Sequence, residues 1–238
     1  MRISRWVMVA LFVVSAVLVV EAQQPRQGGG FGQVNTTNAV LTNKDLQEEL
    51  KVTDAQKEKL KGASEKLTEL GKKRAEAFKG GFKNVDKEKA AEFQKESEAV
   101  NADVKKSVEE VLTSDQKKRL KQIDLQAKGL AAFSDEAVAK ELSITDSQSS
   151  KIKGVMEEYA KDTKDLRGGG KGGGFDKEKA AENQKKREKL TKAATADIED
   201  ALTAEQKGKW KEMVGAPFDT AKLRQGGFGG NTKNKTKD

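Results

Sequence analysis

The residue types that most often do chemistry are absent from this chain or otherwise occupied. There is no His and no Cys. That removes the commonest general base, the thiol nucleophile and the best ligands for a transition metal. The 38 acidic residues are interleaved with 46 basic ones, mostly Glu beside Lys, the pattern of a solvated helical face. Asp86 and Asp176 stand where two helices should begin and read as N-caps. Residues 167–174 are nearly all Gly. They match neither a phosphate loop nor a dinucleotide fingerprint, because no strand precedes them. No catalytic residue, metal ligand or cofactor is therefore expected, and the chain reads as a binding scaffold rather than an enzyme.

The strongest pattern is a duplication between residues 42 and 210. Asp86-Lys87-Glu88-Lys89-Ala90-Ala91-Glu92 recurs letter for letter as Asp176-Lys177-Glu178-Lys179-Ala180-Ala181-Glu182. Around it sit four motifs of the form aliphatic-Thr-x-x-Gln, built on Thr53 and Gln56, Thr113 and Gln116, Thr145 and Gln148, and Thr203 and Gln206. Thr followed three residues later by Gln is a capping box. The hydroxyl accepts from the Gln N–H, and the Gln side chain reaches back to the Thr N–H. These eight residues are assigned as structural helix caps, each cap contributing about 0.5–2 kcal/mol.

Elements follow from the caps. Each copy reads as four helices. In the first they cover about 43–50 (opened by Thr42), 54–78, 86–111, and 114–128 with Gly129 as C-cap. Leu60, Ala63, Leu67, Leu70 and Phe78 form one face of the second helix. Ala90, Phe93, Ser97, Val100, Val104, Val108 and Val111 form a near-heptad seam on the third, as in an antiparallel coiled coil. The second copy opens at Ser134 and repeats the series. Asn183 and Arg187 stand in its third-helix seam, which should weaken it toward the Gly-rich loop. The last helix carries Trp210 and Met213 and stops at Gly215-Ala216-Pro217.

The ends differ in composition. Arg2 and Arg5 precede an apolar run of about 15 residues, short of the roughly 20 that span a bilayer. Residues 1–22 therefore read as a signal peptide. Export to the periplasm or outside the cell is expected, with no membrane association after cleavage. Residues 23–41 and 217–238 read as disordered Gly-rich tails, flanking helical units at 42–129 and 134–216. Without Cys there are no disulfides, and stability rests on packing. The net charge of +8 is modest among so many charges, so a nucleic-acid surface is not expected. The expected fold class is all-α: two tandem hairpin-like units in an elongated, coiled-coil-like cradle. The units should pair within one chain as a pseudo-dimer, a homodimer being the alternative.

As a set, the motifs resemble the LTxxQ-motif family of periplasmic proteins, the Spy/CpxP-like group. Leu50-Lys51-Val52-Thr53-Asp54-Ala55-Gln56 resembles the family's first element, and Val111-Leu112-Thr113-Ser114-Asp115-Gln116 the second. The resemblance covers residues 50–120 and again 142–210. It implies a thin curved helical cradle and ATP-independent holding of unfolded client proteins in the stress response. A regulatory module that binds the exported domain of a sensor protein is the alternative it implies. A structural coiled-coil spacer is the bland alternative. Phe78, Phe82 and Phe93, gathered at the first hairpin tip, are the expected client-binding residues, because exposed aromatics give large contact area at little entropy cost.

Overall fold

The computed structural model describes residues 34–77, 87–164, 166 and 177–224, and these described residues form one compact body. The fold is all-α, and no strand occurs among the described residues. In chain order the helices are α1 (Thr36–Thr42), α2 (Lys44–Glu49), α3 (Asp54–Ala77), α4 (Lys87–Val111) and α5 (Ser114–Lys128). A 3₁₀ helix (Gly129–Ser134) follows, then α6 (Glu136–Glu141), α7 (Asp146–Lys164), α8 (Lys177–Ala201), α9 (Ala204–Val214) and a final 3₁₀ turn (Lys222–Arg224). The helices α3 and α4 pair as one long hairpin, and α7 and α8 as the other. None of the described helices is long and apolar enough to cross a membrane.

Two apolar cores sit at the roots of the two hairpins. The first gathers Val40, Leu46, Leu50, Leu60, Val104, Val108, Leu112 and Ile123. The second gathers Leu130, Phe133, Val138, Leu142, Ile152, Ile198 and Leu202. Apolar burial fades toward the loop ends of α4 and α8. On α4 the seam positions Val104 and Val108 are closed from solvent, while Phe93, Ser97 and Val100 are half-buried. On α8 only Ala194 and Ile198 are buried, and Asn183, Arg187 and Leu190 are half-buried. A polar contact crosses the weaker second seam: the Tyr159 hydroxyl meets Thr191 Oγ1 at 3.0 Å. Within α7 the buried Thr163 hydroxyl donates to the Tyr159 carbonyl at 2.7 Å.

The repeats meet through α5 and α9. Helix α5 serves both cores: Leu120 and Ile123 face the first, and Leu125 faces the second.

Several expected boundaries move. Residues 36–41 belong to the fold rather than to a tail. Asn35 caps α1 by accepting the Asn38 N–H at 3.0 Å, and Ala39, Val40 and Leu41 are buried in the first core. The gain from that apolar burial outweighs the cost of ordering so short a segment. Residues 217–224 are likewise packed rather than a tail, with Leu223 only 4% exposed. The short second helix of each repeat is capped one residue later than expected. Asn43 accepts from Leu46 and Asp135 from Ala137, so Thr42 and Ser134 lie outside the cap position. Residues 129–134 form a 3₁₀ helix that buries Leu130, Ala132 and Phe133, in the place α1 occupies in the first repeat. Gly129 ends α5 at φ 54°, ψ −129° rather than in the left-handed helical region. The expected caps Asp86 and Asp176, the signal peptide and the Gly-rich stretches of both ends and both hairpin loops lie outside the described residues.

Candidate functional site

All four Thr-x-x-Gln motifs form as capping boxes. The Gln N–H donates to the Thr Oγ1 at 3.2–3.3 Å, and the Thr N–H donates to the Gln Oε1 at 2.8–3.0 Å. The second use of these glutamines was not legible motif by motif. Within a repeat, the two caps lie side by side and their amides pair. Gln56 Nε2 donates to Gln116 Oε1 at 2.7 Å and Gln116 Nε2 donates back at 3.1 Å. Gln56 also donates to the Val111 carbonyl at 3.0 Å, and Gln116 to the Leu50 carbonyl at 3.0 Å. Both amides thus use both their donors and both their acceptor positions. The second repeat builds the same clasp from Gln148 and Gln206, with Gln148 on the Ala201 carbonyl and Gln206 on that of Leu142.

Backbone strain is placed at the clasps. Lys51 (φ 52°) and Ser143 (φ 54°) adopt positive φ without being Gly. Each ends its short helix in a Schellman turn, with bonds from Lys51 and Val52 back to Glu48 and Gln47, and from Ser143 and Ile144 back to Lys140 and Ala139. The turn aims the Lys51 and Ser143 carbonyls at Gln116 and Gln206, 3.2 Å away in both repeats.

The second polar assembly lies where the chain leaves α9. Gly215 turns it at φ 62°, and residues 216–223 run back over the first repeat as a strap. Gln126 on α5 donates to the Val214 and Ala216 carbonyls at 2.6 and 2.8 Å and accepts the Phe218 N–H at 2.7 Å. Arg119 Nη1 donates to the Ala216 carbonyl at 2.8 Å, while its Nε and Nη2 hold Glu49 Oε1 at 2.8 and 2.7 Å. Asn43 is 2% exposed and gives its Nδ2 to the Lys222 carbonyl at 2.9 Å. Leu223 is buried in the first core and Phe218 packs against it. Sequence reasoning missed this assembly. Its one signal is Arg119, Gln122 and Gln126, a polar line at helical spacing beside the apolar line of Leu120 and Ile123.

The expected aromatic cluster is described only at Phe93, half-buried in α4; Phe78 and Phe82 lie outside the described residues. An aromatic pair lies in the second repeat, Phe133 against Trp210, with ring centroids 4.4 Å apart. Ionisable groups with displaced pKa are explained by ion pairs. The hydrogen bond to Glu96 holds the Lys73 ammonium above its ordinary value, and that from Lys66 holds Asp103 below. The hydrogen bond from Lys186 does the same for Glu182. Lys128 bridges Asp124 and Asp135 at 3.0 and 3.1 Å. Among the described residues no group of three or more Asp or Glu is placed to hold a metal ion. The arrangement binds backbone and apolar side chains.

No family model matches the chain, and neither a curated protein nor a solved structure matches it.

Proposed function

We propose that this is an exported, ATP-independent chaperone-like protein that holds unfolding client proteins loosely on its helical surface. The observation that carries the reading is the half-closed seam of each hairpin. Leu67, Val100 and Val111 in the first repeat, and Val155, Met156 and Tyr159 in the second, remain partly exposed beside their cores. Lysine and glutamate line both sides of them. Such strips give many weak apolar contacts without a deep pocket, which suits a changing set of non-native chains. Polar rims keep the free protein from self-association. The resemblance of the four Thr-x-x-Gln elements to the Spy/CpxP-like group and the basic-then-apolar start of the chain support the same reading.

The test is suppression of light scattering by the chain without residues 1–22, using thermally unfolding reporter proteins and no nucleotide. Near-stoichiometric protection of several unrelated reporters is expected. Protection of none, together with capture of one folded partner at fixed stoichiometry, would replace this reading by the sensor-binding one.

A further inference from the structure

The strap is held in an unusual way. Every hydrogen bond that Gln126, Arg119 and Asn43 make to residues 214–222 goes to a main-chain atom. Among the described residues, the only polar contact between a strap side chain and the body is Lys222 Nζ to Asp45 at 3.5 Å, and both groups are more than two-fifths exposed, so it adds little. The Asp219 carboxylate bonds within the strap, to the Ala221 N–H. Side-chain recognition reduces to two apolar anchors five residues apart, Phe218 half-buried and Leu223 buried. Readers of backbone plus two apolar sockets do not depend on most of the sequence they hold.

The readers are built into the fold. Asn43 is fixed as the α2 N-cap through its Oδ1, which leaves Nδ2 aimed outward. Arg119 is fixed by its two bonds to Glu49. Beside the strap lies a cleft of about 360 Å³ bordered by Asp45, Glu48 and Glu49 of the body and by Phe218, Asp219 and Lys222 of the strap, so the seat accommodates a basic residue near its apolar anchors, as Lys222 supplies. The strap contributes little structure of its own: residues 216–219 are irregular, and only one 3₁₀ turn follows.

We propose that the seat of residues 216–223 on the first repeat is a docking surface for extended polypeptide, and that the strap occupies it as a built-in competitor. An aromatic or aliphatic residue and a second one five positions on define the segment it accepts. The inference rests on the chaperone-like reading and adds to the hairpin seams a second site with its regulation: a client segment displaces the strap, and the strap reseats when the client leaves.

The experiment uses the full chain carrying Phe218→Ser and Leu223→Ser, and as probe a fluorescein-labelled peptide of residues 214–224. Anisotropy should show the double variant binding the peptide at least ten-fold more tightly than the unaltered chain. Adding Gln126→Ala should abolish the gain, and the peptide with Leu223→Ser should not bind. The double variant should suppress reporter aggregation better than the unaltered chain, with the peptide competing. Equal peptide binding by both chains overturns the proposal. So does peptide binding with which an unfolded reporter does not compete. If the unaltered chain protects reporters and the double variant is no better, the strap is only a tether, and the chaperone-like reading stands without it. If neither chain protects any reporter, the chaperone-like reading fails and this proposal with it. Hydrogen exchange on the unaltered chain covers the case of a misfolded variant. Excess unfolded reporter should speed exchange at the Phe218 and Leu223 amides, and unchanged rates there overturn the proposal.

Discussion

Gln56 and Gln116, 60 residues apart, trade hydrogen bonds amide to amide at 2.7 and 3.1 Å. Each is also the closing residue of its own helix cap. One side chain therefore starts a helix and ties that start to another. The first hairpin and α5 are locked at a single point, and the Gln148–Gln206 pair locks the second repeat in the same way.

Removing a clasp amide should cost more than removing a cap hydroxyl. Thr113→Ala loses one capping bond, about 1 kcal/mol. Gln116→Ala loses the return bond to Thr113 and strands the Leu50 carbonyl and the Gln56 amide, so about 2–3 kcal/mol is expected. Urea unfolding of Gln56→Ala, Gln116→Ala and the double variant should give a coupling of about 1 kcal/mol. Equal costs for Thr113→Ala and Gln116→Ala, with no coupling, would reduce the clasp to two independent caps.

Residues that act locally were readable, and those that act at a distance were not. The bond between Thr53 and Gln56 depends on a spacing of three, which a sequence displays. The bond between Gln56 and Gln116 depends on two helix starts meeting in space. Val40 and Leu41 were lost to the tail because the Gly-rich stretch before them dominated the composition, although Asn35 three residues before Asn38 was a usable N-cap signal. Phe133 falls between the two helical units that the sequence outlines, because a six-residue 3₁₀ helix has no long periodicity to detect. The strap was illegible because Gln126 and Asn43 read its backbone, which leaves no mark on the strap's own sequence.

Phe133 tests the correction to residues 129–134. If these residues are part of the core, Phe133→Ala should destabilise by about 3–5 kcal/mol, the range for a buried aromatic. A mere connector would cost almost nothing. The signal is convenient: apart from Trp6 in the first 22 residues, Trp210 is the only Trp, and it lies against the Phe133 ring. Its emission should shift in the variant and report the unfolding transition in the unaltered chain.

Two glycines should respond in opposite senses. Gly215 sits at φ 62°, ψ −155°, a region essentially confined to Gly, and an added Cβ would fall 2.3 Å from the Gln122 Cδ. The Gln122 amide can swing aside, but the backbone strain remains. Gly215→Ala should destabilise by about 1–3 kcal/mol and loosen the strap. Gly62, inside α3, has nothing within 4 Å of its would-be Cβ, so Gly62→Ala should stabilise by about 0.5–1 kcal/mol. Thermal melts of the two variants on either side of the unaltered chain are expected; shifts of the same sign would contradict the assigned geometry.

Lys128 makes the second repeat sensitive to pH at both extremes. Burial opposes its charge, but the hydrogen bonds to Asp124 and Asp135 outweigh this and keep its pKa above the ordinary 10.5. That contribution is complete below 10.5 and is lost as pH rises through the higher folded value. The hydrogen bond from Lys128, opposed by burial and helped by the Ala137 N–H, holds Asp135 below the ordinary 3.8. Its contribution is complete above 3.8 and is lost as pH falls through the lower folded value. Both side chains are about a third exposed, so the effect is small. Asp135→Asn isolates it, because Asn can still cap α6, as Asn43 caps α2 in the first repeat. Between pH 5 and 2.5 the urea midpoint of Asp135→Asn should fall less steeply than that of the unaltered chain. Between pH 9 and 11 both should still fall, since the Asp124 partner of Lys128 is retained. Lys128→Met should flatten both limbs. An unchanged acid limb in Asp135→Asn would mean that the bridge to Lys128 contributes nothing to the stability of the fold.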